Sequence, residues 1–393
     1  MEIIKPGRVF DFMKYRRAAI GTSAILMLLS IASVFWPGPN WGIDFSGGTE
    51  VQLRFRGDVE TAELRGIIEE LGYQSPDVVA VQGGAENEFI VRVREVSALP
   101  ADIEERVTEQ LQTTLGAANE IVALRVSPGG DKISVRLSEG ADLEQIAAGL
   151  SAAGLEIRGA VTRFGPEDDF RYEANLVGVA DRMVSQLGER LGERGPEPAL
   201  RIEWVGPRAG EQLRTAATKA LLYTVMFIMV YVAFRFDLRF APGGIIALIH
   251  DVVITVGIFV LIRREFNLTT IASLLTIIGY SINDTIVIYD RIRENMARHR
   301  GKSMAELINI STSEMLGRTL VTSSVTLLAI IPFFIWGTQV LQDIALALFI
   351  GFVAGVYSTI FIAAPFTEWM DTNVFRRMRP AAETAKTARR ARA

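Results

Sequence analysis

Two carboxylates, Asp251 and Asp284, sit inside long apolar runs, and these are the first places to look for chemistry. Carrying an ionisable group into lipid is costly, so such residues mark ion pathways or contacts between helices. Asp251 lies near the middle of its run beside His250, and Asp284 lies in GYSINDTIVIYD, about two turns from the end of its own. On a helix, Thr276, Tyr280, Asp284 and Ile288 recur every fourth residue, with Ser281 on nearly the same side. Such a stripe suits a bundle interior or a wet cavity. Arg318 opens a later run, and an antiparallel helix starting near Glu314 brings it to the depth of Asp284. A guanidinium opposes what burial does to a carboxylate, so small movements between them change whether the acid holds a proton. Plainer readings stand beside this one. Arg318 snorkels to the interface, Asp251 and Asp284 only hydrogen-bond between helices, and His250, about 100° around the helix from Asp251, need not touch it. Asn283 is expected to bond between helices, and Ser323 and Ser324 to bond back to their own helix.

The stretch NWGIDFSGGTE, residues 40–50, raises a different question. It lacks the GxxxxGK[ST] pattern, and a strand pattern follows from Val51, so it is no phosphate cradle. One carboxylate does not make a metal loop. Gly42, Gly47 and Gly48 permit close backbone approach and unusual dihedrals, with Asp44, Phe45 and Thr49 between and after them. The segment reads as a coupling joint between a membrane span and the first strand of a folded domain. Ile43 and Phe45 are expected to pack against span ends, and Asp44 to cap or pin the joint.

These residues need elements to hold them. The chain has 393 residues, 49% hydrophobic and 22% charged, a mixture that predicts a membrane part joined to a folded part outside it. Six runs are long enough to cross a bilayer: Ala18–Trp36, Arg214–Phe234, Ala241–Ile262, Leu268–Tyr289, Leu320–Trp336 and Val340–Pro365. Lys219 in the second must snorkel. The first follows Lys14, Arg16 and Arg17 like a signal sequence, but it ends on Val34, Phe35 and Trp36, so we read it as a retained anchor rather than a cleaved leader. Basic residues set the orientation. Lys5, Arg8, Lys14, Arg16 and Arg17 at the start, Arg291, Arg293, Arg298, Arg300 and Lys302 between spans four and five, and Arg376, Arg377 and Arg379 at the end all fall on one side. Arg235 and Arg239 agree, while Arg263 and Arg264 break the rule, offset in part by Glu265. Residues 1–17 and the basic tail 367–393 are therefore cytoplasmic, 18–36 is the first span, 37–213 is an external, periplasmic domain, and 214–366 holds the other five spans.

The external segment alternates strand and helix patterns twice over: strands from Val51, near Val78–Val81 and Phe89–Val93 and near Ile121–Val126, with helices Ala62–Leu71 and Ala101–Leu115 among them. The series repeats with Ile133–Gly140, Leu143–Leu150, Leu155–Val161, Phe170–Val177, Val179–Leu191 and Ala199–Gly206. The order predicts two ferredoxin-like βαββαβ units in tandem, about 49–127 and 132–206, within a polytopic α-helical membrane protein of six transmembrane helices. The alternative is one α+β domain carrying an insertion. No nucleophile–base pair, metal set or P-loop is visible, so an enzyme is not expected. Net charge is −4 with no basic stripe in this region, which argues against nucleic acid. There is no cysteine, and the two histidines, His250 and His299, are far apart in the chain, so neither a disulfide nor a His-built metal centre is expected.

The motifs together resemble the SecD/SecF family of the RND superfamily. GIDFSGGT at 42–49, WVGPRAGEQL at 204–213, ALIHDVVITVG at 247–257, LTTIASLLTIIGYSINDTIVIYDRIREN at 268–295, RTLVTSSVTLL at 318–328 and GVYSTIFIAAP at 355–365 carry the likeness. Ile43 and Phe45 favour the SecF branch over the SecD branch, which typically reads GLDL there. The resemblance implies a subunit that works with SecD and the SecYEG channel, spending the proton-motive force to draw preproteins out across the inner membrane. It implies Asp284 as proton carrier and Arg318 as its partner, with protons as the coupling ion and no cofactor. Asp251 and His250 join them as candidates for the pathway on their position alone. The family usually has one external unit where this sequence predicts two. A proton-driven small-molecule transporter half is the competing class, although such pumps normally carry two six-span halves.

Overall fold

The computed structural model describes residues 8–74, 76–81, 87–97, 99–100, 102–116, 119–166 and 169–375. Lys5, residues 82–86 and the basic tail from Arg376 onward lie outside the described residues. Contacts divide the chain into two units, 1–41 with 216–393, and 42–215.

In chain order, α1 (Arg16–Phe35) and β1 (Asn40–Trp41) precede the α/β domain. That domain holds α2 (Ile43–Ser46), β2 (Gly48–Arg54), α3 (Thr61–Glu70), β3 (Asp77–Ala80), β4 (Glu88–Val93), α4 (Ile103–Leu115), β5 (Ile121–Val126), β6 (Lys132–Leu137), α5 (Leu143–Ala152), β7 (Thr162–Phe164), β8 (Arg171–Asn175), α6 (Val179–Leu191) and β9 (Arg201–Val205). Then follow α7 (Pro207–Arg235), α8 (Ala241–Leu261), β10 (Glu265–Phe266), α9 (Leu268–Arg298), α10 (Met304–Trp336) and α11 (Gln339–Ser358). The last passes through a π-helical stretch, Thr359–Ala363, into α12 (Ala364–Met370).

Six helices are long and apolar enough to cross a membrane. Among them α8, α9 and α11 are the inner ones, with 56%, 50% and 50% of their apolar windows buried, against 17%, 6% and 17% for α1, α7 and α10. Glycines set how closely the inner helices approach: a Cβ on Gly243 would stand 2.6 Å from the Tyr289 hydroxyl, and one on Gly355 3.2 Å from Ser281 Cβ. The fourth and fifth helices outrun their apolar segments, α9 at its C-terminal end as far as Arg298 and α10 at its N-terminal end from Met304, where a capping box and not hydrophobicity decides the start. Asn267 caps α9 by accepting from Thr270 N at 2.9 Å, and Ser303 caps α10 with Glu306 bonded back to it at 2.8 Å. Helix α10 thus begins ten residues before Glu314, and Arg318 lies well inside it.

Two sheets build the α/β domain; the second is assembled from consecutive strands, and the first from both ends of the segment. The first has order β3-β4-β2-β9 and the second β5-β6-β8-β7, all pairs antiparallel. Strand β9 and helix α6, from the end of the segment, close the first sheet: Val179, Met183 and Leu187 pack with Leu64 and Ile68 of α3 on Val51, Leu53 and Val91. Helix α4 and strand β5 instead join the second, where Val107 and Leu111 pack with Ile146 and Leu150 of α5 on Ile133, Val135 and Tyr172. The boundaries 49–127 and 132–206 are therefore corrected: the first lobe is 48–93 with 179–205, and 103–175 is inserted into it. The reason is local. Strand β5 forms a tight hairpin with β6 across the Ser127–Asp131 turn, where Ser127 N donates to Lys132 O at 2.8 Å. The predicted strand Leu155–Val161 is irregular, with one bridge from Ile157 to Leu176, and pairing begins at Thr162.

Candidate functional site

Asp251 is the hub of a buried network that joins three helices. Its side chain on α8 is fully buried. Oδ2 accepts from Ser281 Oγ of α9 at 2.6 Å and from Ser358 Oγ of α11 at 2.9 Å, and Oδ1 lies 3.0 Å from His250 Nδ1. His250 and Asp251 need not have touched, yet they do: the helix places them side by side and the imidazole reaches across. His250 stacks on Tyr357, ring centroids 6.0 Å apart, and its Nε2 is buried with no partner among the described residues. Tyr357 in turn donates to Ala19 O of α1 at 2.9 Å and accepts from Ser23 Oγ at 3.1 Å. One turn or more further along α9, Thr285 Oγ1 meets Thr359 Oγ1 at 2.9 Å, and Thr367 Oγ1 meets the Tyr289 hydroxyl at 3.0 Å.

Asp284 is buried on the other flank of α9. Ser281, one turn away, is turned to Asp251 instead. Helix α9 packs antiparallel to α10, and bonds set the register: Tyr280 Oη to Thr326 Oγ1 at 3.2 Å, Arg291 Nε to Glu314 Oε2 at 2.7 Å, and Asn295 Nδ2 to Ser311 Oγ at 3.0 Å. Extended through this hairpin, the register sets Asp284 level with Val321 and Thr322 and leaves Arg318 about one turn nearer the connecting loop. Arg318 is exposed and makes no hydrogen bond or ion pair with Asp284, but it is close enough to act on that carboxylate through its charge. Ser323 is buried and its hydroxyl lacks a partner among the described residues, so the expected bond back to its helix is not made. Asn283 faces outward, away from any helix contact of the expected kind. Thr276 is exposed too, bonded to Ala272 O at 2.9 Å, so the predicted stripe runs from surface to interior.

The glycine motif forms a folded corner. Gly42 begins the single turn α2, which the sequence reading did not foresee, and Ile43 and Phe45 are buried. Asp44 sits in the first turn, half-buried. Gly47 has φ +71°, and a Cβ there would lie 2.9 Å from Pro207 Cα; Gly48 has φ +127°, and a Cβ there would overlap the Val93 carbonyl oxygen. A Cβ on Gly210 would lie 3.2 Å from Phe45 O. The motifs at 42–49 and 204–213 therefore meet, with Thr49 opposite Trp204 in the ladder and Thr49 Oγ1 bonded to Glu95 O at 2.6 Å. On the membrane side, Asn40 and Trp41 pair in parallel with Glu265 and Phe266.

Sequence reasoning missed Ser358, Tyr357 and Asp343. The first two are polar residues inside an apolar run, the only signal they gave. Asp343 is buried at the start of α11 and pairs with Arg264 at 3.1 Å, while Arg263 donates to Gly38 O at 2.8 Å. Both arginines that break the charge rule are thus held locally. Among the described residues no group of His, Asp and Glu could hold a metal ion.

Comparison with known proteins places this geometry. Residues 192–373 match the profile "Protein export membrane protein SecD/SecF, C-terminal", and residues 33–59 match "SecD/SecF GG Motif". A protein translocase subunit SecF from Magnetococcus marinus is 34% identical over 98% of this chain and 99% of its own. One from Rickettsia prowazekii is 41% identical over 60% of this chain and 77% of its own. The crystal structure of SecDF from Thermus thermophilus, titled a translocon-associated membrane protein, superposes with TM-score 0.62 at 30% identity. That likeness covers 93% of this chain but only 39% of the SecDF chain.

Proposed function

Because the chain belongs to the SecF family of protein translocase subunits, we propose that it uses the proton-motive force to promote preprotein export, with Asp284 as the group that takes up and releases the proton. The observation that carries this reading is Asp284 itself: a buried carboxylate in a transmembrane hairpin, tied by no hydrogen bond or ion pair among the described residues, within reach of the charge of Arg318. A carboxylate held only by a nearby charge changes state when that charge moves. Asp251 and His250 belong to the same pathway, deeper in the bundle.

The chain spans about two fifths of the solved SecDF chains, so a SecD partner supplies the remainder, and SecYEG is the channel that both serve. The lysines and arginines at the termini and between α9 and α10 set the orientation, with both ends cytoplasmic and the α/β domain periplasmic at the inner membrane. The first lobe follows the ferredoxin-like βαββαβ order, and the inserted lobe has the same order with its closing α4–β5 moved to the front. Both lobes face the emerging preprotein in this reading. The test is Asp284→Asn. The complex should assemble with SecD and lose the proton-driven component of export. Normal proton-driven export by a stably assembled Asp284→Asn complex overturns the assignment.

A further inference from the structure

We propose that the Asp251–His250 pair is a second proton-binding node, and that Tyr357 transmits its state to α1. This rests on the proton-coupled reading above but concerns residues that no motif comparison assigns. The carboxylate is surrounded by donors on every side: Ser281 at 2.6 Å, Ser358 at 2.9 Å, and the Nδ1–H of His250 at 3.0 Å. Three donors fit an ionised Asp251 and a neutral ring with its hydrogen on Nδ1. The ring's other nitrogen is then a bare acceptor, and it is the one atom of the node without a partner among the described residues. It is where a proton can enter.

Uptake of one proton at Nε2 lets the Nδ1 hydrogen move to Oδ1, so the pair goes from a net charge of −1 to 0 with no other bond broken. Ser281 and Ser358 keep their bonds. Ser358 also has a second acceptor, Gly355 O at 3.2 Å, so its hydroxyl stays satisfied whether or not Asp251 remains a strong acceptor. Nε2 is what changes. It becomes a buried donor with nothing to donate to, and a buried donor without an acceptor is unstable. The ring must turn, or water must enter. Tyr357 lies stacked on that ring, and its hydroxyl holds Ala19 O and Ser23 of α1. Moving the ring therefore loosens or retightens α1 on the bundle. Helix α1 is suited to respond, because most of its surface is exposed and its seam with α8 is built from small residues, Ser30 packing directly on Gly257. It also leads through Asn40–Trp41 to the glycine motif.

The groups facing the node are few. On α9 the titratable groups nearest along the helix are Asp284, one turn from Ser281, and Tyr289; on α11 there is Tyr357; on α1 Ser23 meets Tyr357, while Ser30 packs further along at Gly257. Asp284 is thus the rival source of any pH dependence, and the test must separate the two.

The chain has no cysteine, so a single probe is clean. Ser33 is buried on α1, which makes Ser33→Cys a conservative probe of how often α1 lifts away. The probe chain, full length with co-purified SecD in nanodiscs, is alkylated with N-ethylmaleimide from pH 5 to pH 9. Rates are divided by those of a free thiol to remove thiolate ionisation. The expected result is a change of about tenfold in the corrected rate across one titration, retained in Asp284→Asn and flattened to within twofold in Asp251→Asn and in Tyr357→Phe. Tyr357→Phe keeps the ring and deletes only the hydroxyl, so it serves if Asp251→Asn fails to assemble. A profile unchanged in Tyr357→Phe, or flattened by Asp284→Asn alone, overturns the proposal. Neither result bears on whether export is proton-driven, so a failure here is distinct from a failure of the functional reading.

Discussion

Replacing Gly48 with alanine should open the root of the α/β domain while leaving the buried membrane network intact. Two costs add. At φ +127° a residue with a side chain is strained, by about 1–3 kcal/mol. The new Cβ also overlaps the carbonyl oxygen of Val93, and because that atom is strand backbone, relief requires β4 to shift; over-packing of this kind costs about 1–3 kcal/mol. Together they amount to roughly 2–6 kcal/mol, or about 30-fold to 10⁴-fold in the local opening equilibrium. Hydrogen exchange followed by mass spectrometry on the full chain in nanodiscs reads this directly in peptides covering β2, β4 and β9. Two other glycines separate the terms. Gly72 has φ +91° with nothing within 4 Å, so Gly72→Ala carries the backbone term alone. Gly66 lies inside α3 with open space around it, so Gly66→Ala should stabilise by up to about 1 kcal/mol. If β2 and β4 exchange no faster in Gly48→Ala than α3 and β3 do in Gly72→Ala, the close approach of Gly48 to β4 is refuted.

Other outcomes follow from single contacts. Arg264→Ala removes the charge partner of buried Asp343; with Arg264 itself partly exposed, the loss should be about 1–3 kcal/mol, and adding Asp343→Asn should recover part of it in a double-mutant cycle of thermal unfolding. A cycle with no coupling would show that the pair does not hold the loop. Gly351→Ala drives a methyl into the side chain of Ile277 and should cost about 1–3 kcal/mol by the same melting assay, where an unchanged midpoint would contradict the α9–α11 packing. In the α/β domain, the hydrogen bond from Arg194 holds the Glu63 carboxyl below its usual range. A carboxylate lowered on folding stabilises above its unfolded pKa, and the contribution is lost as pH falls through the lowered value. Arg194→Ala should move the Glu63 titration, followed by carbon NMR, up toward the ordinary glutamate value of about 4.3.

The membrane half was legible because its signals are local. Runs of apolar residues located the six helices, and a carboxylate in such a run is conspicuous wherever it falls. What could not be read was which polar groups face each other across helices. Ser358 and Tyr357 look like ordinary members of an apolar span until α11 is packed against α8 and α1. Likewise Arg263 and Arg264 violate the charge rule only while Asp343 and Gly38 are unknown as partners. Helix ends were misjudged for a different reason: α9 and α10 continue as polar, capped helices past the apolar segment, and hydropathy does not report caps. In the α/β domain the elements were mostly placed, but the order of elements permits two assemblies. Consecutive pairing and the crossed pairing seen here use the same strands and helices. The choice lies in the β5–β6 hairpin together with long-range contacts such as Met183 packing with Val51, which the order of elements does not encode.

The crossed pairing has a mechanical consequence. Strands β2 and β9 are neighbours, and Gly48 faces Val205 at the end of their ladder. One leads back through the glycine motif to α1, and the other leads on through Gly206 and Pro207 into α7. Both covalent connections of the domain to the membrane helices therefore leave from one corner, where Gly47 lies against Pro207. In tandem lobes each would own one connection, and pulling on either helix would act between the lobes. Here the inserted lobe, 103–175, has no covalent connection of its own to the membrane helices. A displacement of α1 relative to α7 would be felt first as shear between β2 and β9, and would reach the second lobe through the linkers β4–α4 and β8–α6 and through direct contacts, Trp204 of β9 against Gly129 and Arg158 paired with Asp181 at 2.7 Å. Glycines at that corner are what allow two strands, a helical turn and a helix start to converge. The corner is closely packed, and its sensitivity to a single methyl at Gly48 is the measure of how tightly it is built.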